Sequence, residues 1–177
     1  MRLTAFMLLF FMSLPMASAA VDEETPECDY DKKRPSLDLT VDDFGLSFGN
    51  SVNIDGIRIN FRDECVRRVR GLNLTLWKPG INPDALFQGI SIGLYGASAD
   101  RIHHITAGLA HIMARSEISG IAIAGGVTES GGDIYGIAVS GLANEARGAF
   151  VGISAAGLAS VSGEEFSGIS LGGLASV

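Results

Sequence analysis

The chain has few cysteines, few basic residues and only one tryptophan, and these shortages exclude several classes of function. Its 177 residues include two cysteines, five prolines and three histidines, and 13 lysines and arginines are outnumbered by 20 aspartates and glutamates. The net charge of −7 excludes a nucleic-acid binder, because such proteins present a basic surface. Two cysteines and distant histidines cannot supply the ligands of a structural zinc site.

The first twenty residues have the pattern of a cleavable signal peptide. Arg2 gives a positive start, an apolar stretch follows over 8–14, and Ala17-Ser18-Ala19 is the small-x-small sequence that signal peptidase reads. The apolar stretch is too short to span a bilayer and is followed by Pro15. The pattern therefore predicts a signal peptide over 1–20 and export to the periplasm, the cell surface or the medium.

Two further parts follow the signal peptide. Residues 21–43 are polar and acidic, which predicts a solvated lead-in or linker. Residues 44–177 form a predicted glycine-rich repeat domain, open at its C-terminus because its last unit stops partway. Cys28 lies in the lead-in and Cys65 lies in the repeat domain. In an exported chain they are candidates for a disulfide that pins the lead-in to the first repeats, with two free thiols as the alternative.

Glycine accounts for 23 residues, and part of this excess marks an internal repeat. A glycine followed by isoleucine or leucine recurs every 15 to 18 residues, and every 16 residues from His104 onward, which occupies one glycine position. The repeat-defining glycines are Gly56, Gly71, Gly89, Gly120, Gly136, Gly152 and Gly168. A fixed period of this length predicts a stack of short structural units.

Apolar residues alternate with others inside each unit, which is typical of half-buried β-strands. In the segment GIRINF the alternation puts Ile57, Ile59 and Phe61 on one face and Arg58 and Asn60 on the other. Because apolar side chains normally form the core, we expect the isoleucine face to point inward and the arginine face to point to solvent.

A second glycine in the later units precedes a leucine of the wrong parity, which predicts a bend that turns the strand. Aromatic residues take the place of that leucine in earlier units, and the whole column is predicted to stack in the core: Trp77, Tyr95, Leu142, Leu158 and Leu174. A unit of about 16 residues holds two short strands and two corners. The predicted fold is all-β, a repeat β-solenoid with one helical turn over 63–70. The alternative is an antiparallel β-meander or barrel.

The units G-(I/L)-x-(I/L/V)-x-G-L-x, with segments such as GLNLTLWKPG and DGIRINF, resemble the Leptospira-type bacterial surface repeat family. The resemblance covers residues 45–177. It implies a signal-peptide-bearing surface protein and brings no activity with it. The asparagine that follows Gly-Leu in the family is replaced by alanine at Ala143, Ala159 and Ala175.

Motifs for catalysis or metal binding are outweighed by the repeat. Ser91 and Ser170 lie in G-x-S-x-G segments, but both are in repeat register and no histidine follows Ser170, as a nucleophile elbow requires. His103, His104 and His111 lie close in sequence, yet His104 occupies a repeat-glycine position. We therefore predict no catalytic residues, no metal site and no cofactor.

These observations predict a structural or interaction role at the cell surface or in the periplasm, without catalysis. The expected partners are proteins or glycans, and self-association through the C-terminal edge of the repeat array. The alternative function is that of an outer-membrane β-barrel-type protein in transport or anchoring, and the membrane is a partner only in that case.

Overall fold

The computed structural model describes residues 28–32 and 34–176, so the signal-peptide pattern over 1–20 lies outside the described residues. Every regular element in the described part is a β-strand. The strands are β1 (Ser36–Val41), β2 (Phe44–Gly49), β3 (Asn53–Asn60), β4 (Arg68–Thr75), β5 (Leu86–Gly93), β6 (Ser98–Gly108), β7 (His111–Ala124), β8 (Val127–Ser130), β9 (Asp133–Ser140), β10 (Ala143–Ala146), β11 (Phe150–Ala156), β12 (Ala159–Ser162), β13 (Phe166–Gly172) and β14 (Ala175–Ser176).

Two stacks of parallel strands build the molecule. The main sheet contains β2 to β7, β9, β11 and β13, and each strand pairs with the next so that the repeat glycines are in register. The second sheet contains the first residues of β6 and β7, then β8, β10, β12 and β14. From β6 onward each coil thus contributes one strand to each sheet, whereas the coils of β2 to β5 contribute a strand to the main sheet alone. This confirms the predicted β-solenoid, and the antiparallel alternative is wrong because, among the described strands, only β1 and β2 pair antiparallel.

The bend predicted at the second glycine of each unit is present. Strand β9 ends at Ser140, and Gly141 and Leu142 form the corner before β10 begins at Ala143. The change of side-chain parity in the sequence therefore records the point at which the chain passes from the main sheet to the second sheet.

Two segments differ from the sequence interpretation. Strand β1 lies inside the predicted lead-in and adds an antiparallel edge strand to the main sheet. The helical turn predicted over 63–70 is wrong. Residues 61–67 form an irregular loop, and β4 begins at Arg68. Of the basic residues in this segment, Arg67 lies in the loop, and Arg68 and Arg70 lie in β4.

The repeat glycines are required by both backbone angle and space. Gly136 has a φ of +123°, and a Cβ at this position would lie 2.1 Å from the carbonyl oxygen of Gly120 in the preceding coil. Side chains rarely adopt this backbone conformation, and the contact would push the coils apart. The glycine period is therefore a consequence of close stacking between coils.

His104 occupies this glycine column with a φ of 82°, so its backbone is strained. The imidazole compensates in part, because its Nδ1 accepts a hydrogen bond from the Gly89 amide at 3.1 Å. We expect His104→Gly to be more stable than His104→Ala by about 1–2 kcal/mol, since both lose the imidazole and only glycine is free of strain. Urea denaturation followed by circular dichroism would measure this difference. Equal stability of the two variants would show that the backbone there is unstrained.

The core is a column of large apolar residues two positions before each repeat glycine. Each member is at most 2% exposed up to Phe150, and Phe166 packs against the end of the column at a ring-centroid distance of 5.1 Å from Phe150. The column consists of Ile54, Val69, Phe87, Ile102, Ile118, Ile134, Phe150 and Phe166.

Small and polar residues fill the rest of the interior. Side chains from the two sheets meet there through hydrogen bonds, such as Thr128 to Ser140 at 2.9 Å and Asn144 to Ser154 at 2.8 Å. Because Ser, Thr, Ala and Asn are short, the two sheets approach closely enough for these hydrogen bonds. The Thr106 hydroxyl and the Asn144 Oδ1 atom are buried with no hydrogen-bond partner among the described residues.

The inward face of the main sheet is the opposite of the predicted one. Arg58 is 0% exposed and Asn60 is buried, whereas Ile57 and Phe61 are exposed and Ile59 is half-buried. Alternation shows only which residues share a face. The column at Ile54 has the parity of Arg58 and therefore lies on the face opposite to Ile57. Both faces carry apolar residues, and the face that is enclosed is the one whose other residues are mostly short.

Candidate interaction surface

The outward face of the main sheet carries two apolar columns, which together we call the apolar ladder. The positions are one and three residues after each repeat glycine, and strand pairing aligns them across ten strands. The first column is Leu39, Leu46, Ile57, Leu72, Ile90, Ile105, Ile121, Ile137, Ile153 and Ile169. The second is Leu37, Phe48, Ile59, Leu74, Ile92, Ala107, Ile123, Val139, Ala155 and Leu171.

The apolar ladder is long and open to solvent. Nine steps between neighbouring strands, at about 4.8 Å each, make it about 43 Å long. Its central isoleucines, such as Ile121 and Ile153, keep about 40% of their surface exposed. Monomeric soluble proteins rarely expose an apolar patch of this continuity, and such patches usually mark an interaction site.

A groove with a volume of about 590 Å³ runs along the ladder edge across β4 to β7. Leu76, Leu94 and Leu109 line it beside the ladder. Ala107 occupies a ladder position between Ile92 and Ile123, and its short side chain leaves the depression. The groove would accept an apolar side chain from a partner.

The column predicted to stack in the core lies on the surface instead. Trp77 is 58% exposed, Tyr95 is 37% exposed and the leucines of the later coils are exposed as well. The physical reason is the corner: each of these residues lies two positions after the end of a main-sheet strand, where its side chain faces solvent. The interpretation of Trp77 as a core residue is therefore wrong.

A buried charge network fills the interior of the first coils. The carboxylate of Asp63 accepts hydrogen bonds from Arg58 at 2.5 Å, from Asn60 at 3.1 Å, from Asn73 at 3.2 Å and from Thr75 at 2.6 Å. The guanidinium of Arg58 also donates to Asn50 at 2.8 Å. Both members of the ion pair are essentially inaccessible to water.

Opposing effects act on the Arg58 guanidinium. Burial lowers the pKa of Arg58 below its usual value, because desolvation penalises the charged form, and the negative charge of Asp63 and its hydrogen bond raise it. The pair is held in the interior by the loop that precedes β4. It is inaccessible to a ligand, so we assign it a structural role.

The two cysteines are joined in the structure. Cys28 and Cys65 form a disulfide with a Cα–Cα distance of 5.3 Å, which ties the lead-in to the loop before β4. Tyr30 lies beside this bridge, with its hydroxyl donating to Asp84 at 2.8 Å and the Arg67 guanidinium 4.7 Å from its ring centroid. Burial, followed by the hydrogen bond to Asp84, raises the pKa of Tyr30 to about 12.

The motif residues considered for catalysis or metal binding do not converge on one site. His103 and His111 each approach a different glutamate, Glu117 at 3.4 Å and Glu129 at 3.5 Å. Ser91 is buried, and its hydroxyl accepts a hydrogen bond from the side-chain amide of Asn73. Within the described range, no cluster of three or more metal-ligating side chains occurs. The same range contains no helix with the length and apolar character needed to cross a membrane.

No family model, curated protein or solved structure matches this chain. The resemblance to the Leptospira-type surface repeats therefore stays a prediction.

Two surface features escaped the sequence interpretation, the apolar ladder and the exposed aromatic column. The sequence pattern identifies these residues but places their side chains in the core, whereas they face solvent. One signal in the sequence could have corrected it: Ile118 and Ala122 share a parity, so the large apolar column before the glycine and the small column after it face the same way. Small residues suit a narrow interior, and isoleucines suit an outer sheet face.

Proposed function

We propose that the chain is an exported module without catalytic activity, whose structural role is to pack its apolar ladder against the ladder of a second copy. The observation that carries the proposal is the full or partial exposure of Leu, Ile, Val and Phe side chains along one sheet face, where only Ala107 and Ala155 interrupt the two columns. The signal-peptide pattern over 1–20 and the resemblance to surface repeats support a location at the cell surface or in the periplasm.

The geometry of the ladder favours a copy of itself as the partner. A flat sheet face with aligned columns is self-complementary about a two-fold axis, and two such faces pack about 10 Å apart in β-sandwiches. The ladder columns themselves carry no charged side chain, and the charged residues beside them on β3 and β4, Asp55 and Arg70, pair with each other at 3.8 Å. The ladder side chains include no acid, base or nucleophile, which supports binding rather than catalysis.

The exposed area is sufficient for association. Fully burying an isoleucine or leucine side chain is worth about 1.5–3 kcal/mol, so covering the remaining 40% is worth about 0.6–1.2 kcal/mol. Two ladders with roughly a dozen such residues each therefore gain about 14–29 kcal/mol, against an association cost of about 4–15 kcal/mol. At the middle of both ranges the gain exceeds the cost by about 12 kcal/mol, so we expect a dimer at micromolar protein concentrations.

Sedimentation velocity over a concentration series tests this proposal. Wild-type protein is expected to dimerise, and the double variant Ile121→Lys/Ile137→Lys is expected to remain monomeric, because it places charges in the contact. Val161→Lys is the matched control, since Val161 and Ile137 are both 38% exposed but Val161 lies on the outer face of the second sheet. Circular dichroism would verify that each variant is folded.

A wild-type monomer at every concentration would contradict the proposal, as would an equal loss of dimer in the Val161→Lys control. Flotation with lipid vesicles tests the other possible partner of the ladder, a membrane. If the monomer binds vesicles and the ladder variant does not, the ladder contacts lipid, and membrane anchoring replaces self-association as the function.

A further inference from the structure

Three exposed aromatic residues stand at the ends of three neighbouring strands. Phe61 follows β3, Trp77 follows β4 and Tyr95 follows β5, and we call them the aromatic strip. The rings of Phe61 and Trp77 are parallel within 5°, with centroids 6.0 Å apart. Phe61 is 64% exposed and Trp77 is 58% exposed, so the stacked pair faces solvent rather than the core.

Basic residues accompany the aromatic strip. Arg62 follows Phe61 and Lys78 follows Trp77, and the Lys78 ammonium lies 5.7 Å from the ring centroid of Tyr95. The first two strand ends therefore each present a ring followed by a cation, and Lys78 serves the rings of both Trp77 and Tyr95. This alternation is unlike the uncharged apolar ladder, and it indicates a different kind of ligand.

A pocket of about 600 Å³ continues from the strip at Phe61. Lys32, Arg34 and Arg62 line it, and Glu64 is its one acidic lining residue among the described residues. The pocket is thus locally positive in a chain whose net charge is −7.

We propose that the aromatic strip and this pocket form a binding site for an anionic glycan. The apolar face of a sugar ring packs on an outer face of the stacked Phe61–Trp77 pair, which attracts the partly positive C–H groups. Arg34 and Arg62 bind the acidic substituent of the sugar through charge-assisted hydrogen bonds. A row of exposed rings on neighbouring strands suits an extended polymer, and the site shares no residue with the apolar ladder.

Trp77 is the one tryptophan in the chain, so its fluorescence reports binding directly. Titration with alginate oligosaccharides, a uronic-acid polymer, is expected to shift the emission and to saturate. Dextran, which is uncharged, and polyglutamate, which is anionic without sugar rings, are expected to bind at least tenfold more weakly. Raised salt should weaken alginate binding, because exposed charge pairs are screened.

Variants measured by isothermal titration calorimetry separate the two parts of the site. Trp77→Ala and Arg62→Ala are each expected to weaken alginate binding about tenfold. Tyr135→Ala is the matched control, since Tyr135 is also an exposed aromatic residue but lies outside the strip, and it should bind as wild type does. The ladder variant Ile121→Lys/Ile137→Lys should also bind normally, so failure of the glycan site and failure of self-association are distinguishable.

Three results would overturn the proposal. These are the absence of saturable alginate binding, equal binding of polyglutamate, which would make the site one for polyanions in general, and unchanged affinity in Trp77→Ala. If binding is confirmed, comparing free polysaccharide with lipid-linked polysaccharide in vesicles would identify the source of the glycan.

Discussion

Replacing Asp63 by asparagine is expected to destabilise the protein by about 3–5 kcal/mol, one of the largest effects of any single substitution in the chain. The change keeps the shape of the side chain but removes its charge, and the Arg58 guanidinium is then left buried without a counter-charge. Urea unfolding followed by circular dichroism would measure the loss. Because the network links β3, β4 and the loop between them, we expect the first coils to be affected most.

The neighbouring residue provides a matched control for this substitution. Glu64→Gln makes the same chemical change one position along the chain, but Glu64 is exposed, so we expect a change within about 0.5 kcal/mol. The double variant Arg58→Met/Asp63→Asn removes both charges and should recover much of the stability. Similar stability of Asp63→Asn and Glu64→Gln would show that the ion pair is not buried.

Gly136→Ala is expected to destabilise the protein by about 3 kcal/mol or more. The added Cβ would lie 2.1 Å from the Gly120 carbonyl oxygen, and the backbone φ of +123° is strained for any side chain. The stacked coils on both sides restrict relaxation, so the substitution should separate two coils or break the ladder of hydrogen bonds between β7 and β9.

The control for this prediction is Gly80→Ala. A Cβ at Gly80 would lie 3.2 Å from side-chain atoms of Arg62 and Glu64, which are exposed and free to adjust. We expect Gly80→Ala to change the free energy of unfolding by less than about 0.5 kcal/mol. Thermal unfolding of both variants would compare them, and an equal effect would contradict the stacking requirement at Gly136.

The period and the strands could be predicted from the sequence because one backbone requirement repeats. Close coil stacking demands glycine at the same point of every turn, so Gly120, Gly136 and Gly152 mark the register directly. The bend at Gly141 was predictable for a related reason, since the change of parity accompanies the passage between sheets.

The direction of the main-sheet faces could not be predicted in the same way. A strand with Ile57 and Ile59 on one face normally buries them, and this general rule failed because a separate apolar column at Ile54 already fills the core. The burial of Arg58 with Asp63 as its partner could not be predicted from the sequence either. Asp63 comes from a loop, and its position inside the coil depends on how the whole loop folds over the interior.

The orientation of the main sheet is the central claim, because the ladder and the self-association both depend on it. Adjacent positions on β11 test it most directly. Ile153 is 40% exposed and Ser154 is 0% exposed, so single variants Ile153→Cys and Ser154→Cys place a thiol on opposite faces of one strand. Serine and cysteine are nearly isosteric, and non-reducing conditions leave the Cys28–Cys65 bond intact.

Maleimide labelling of the folded variants in dilute solution is the measurement. The structure predicts rapid labelling of Ile153→Cys and protection of Ser154→Cys until the protein is unfolded with urea. Protection of Ile153→Cys at high protein concentration alone would add support for the contact between ladders. Rapid labelling of Ser154→Cys together with protection of Ile153→Cys in dilute solution would contradict the account, because the isoleucines would then form the core.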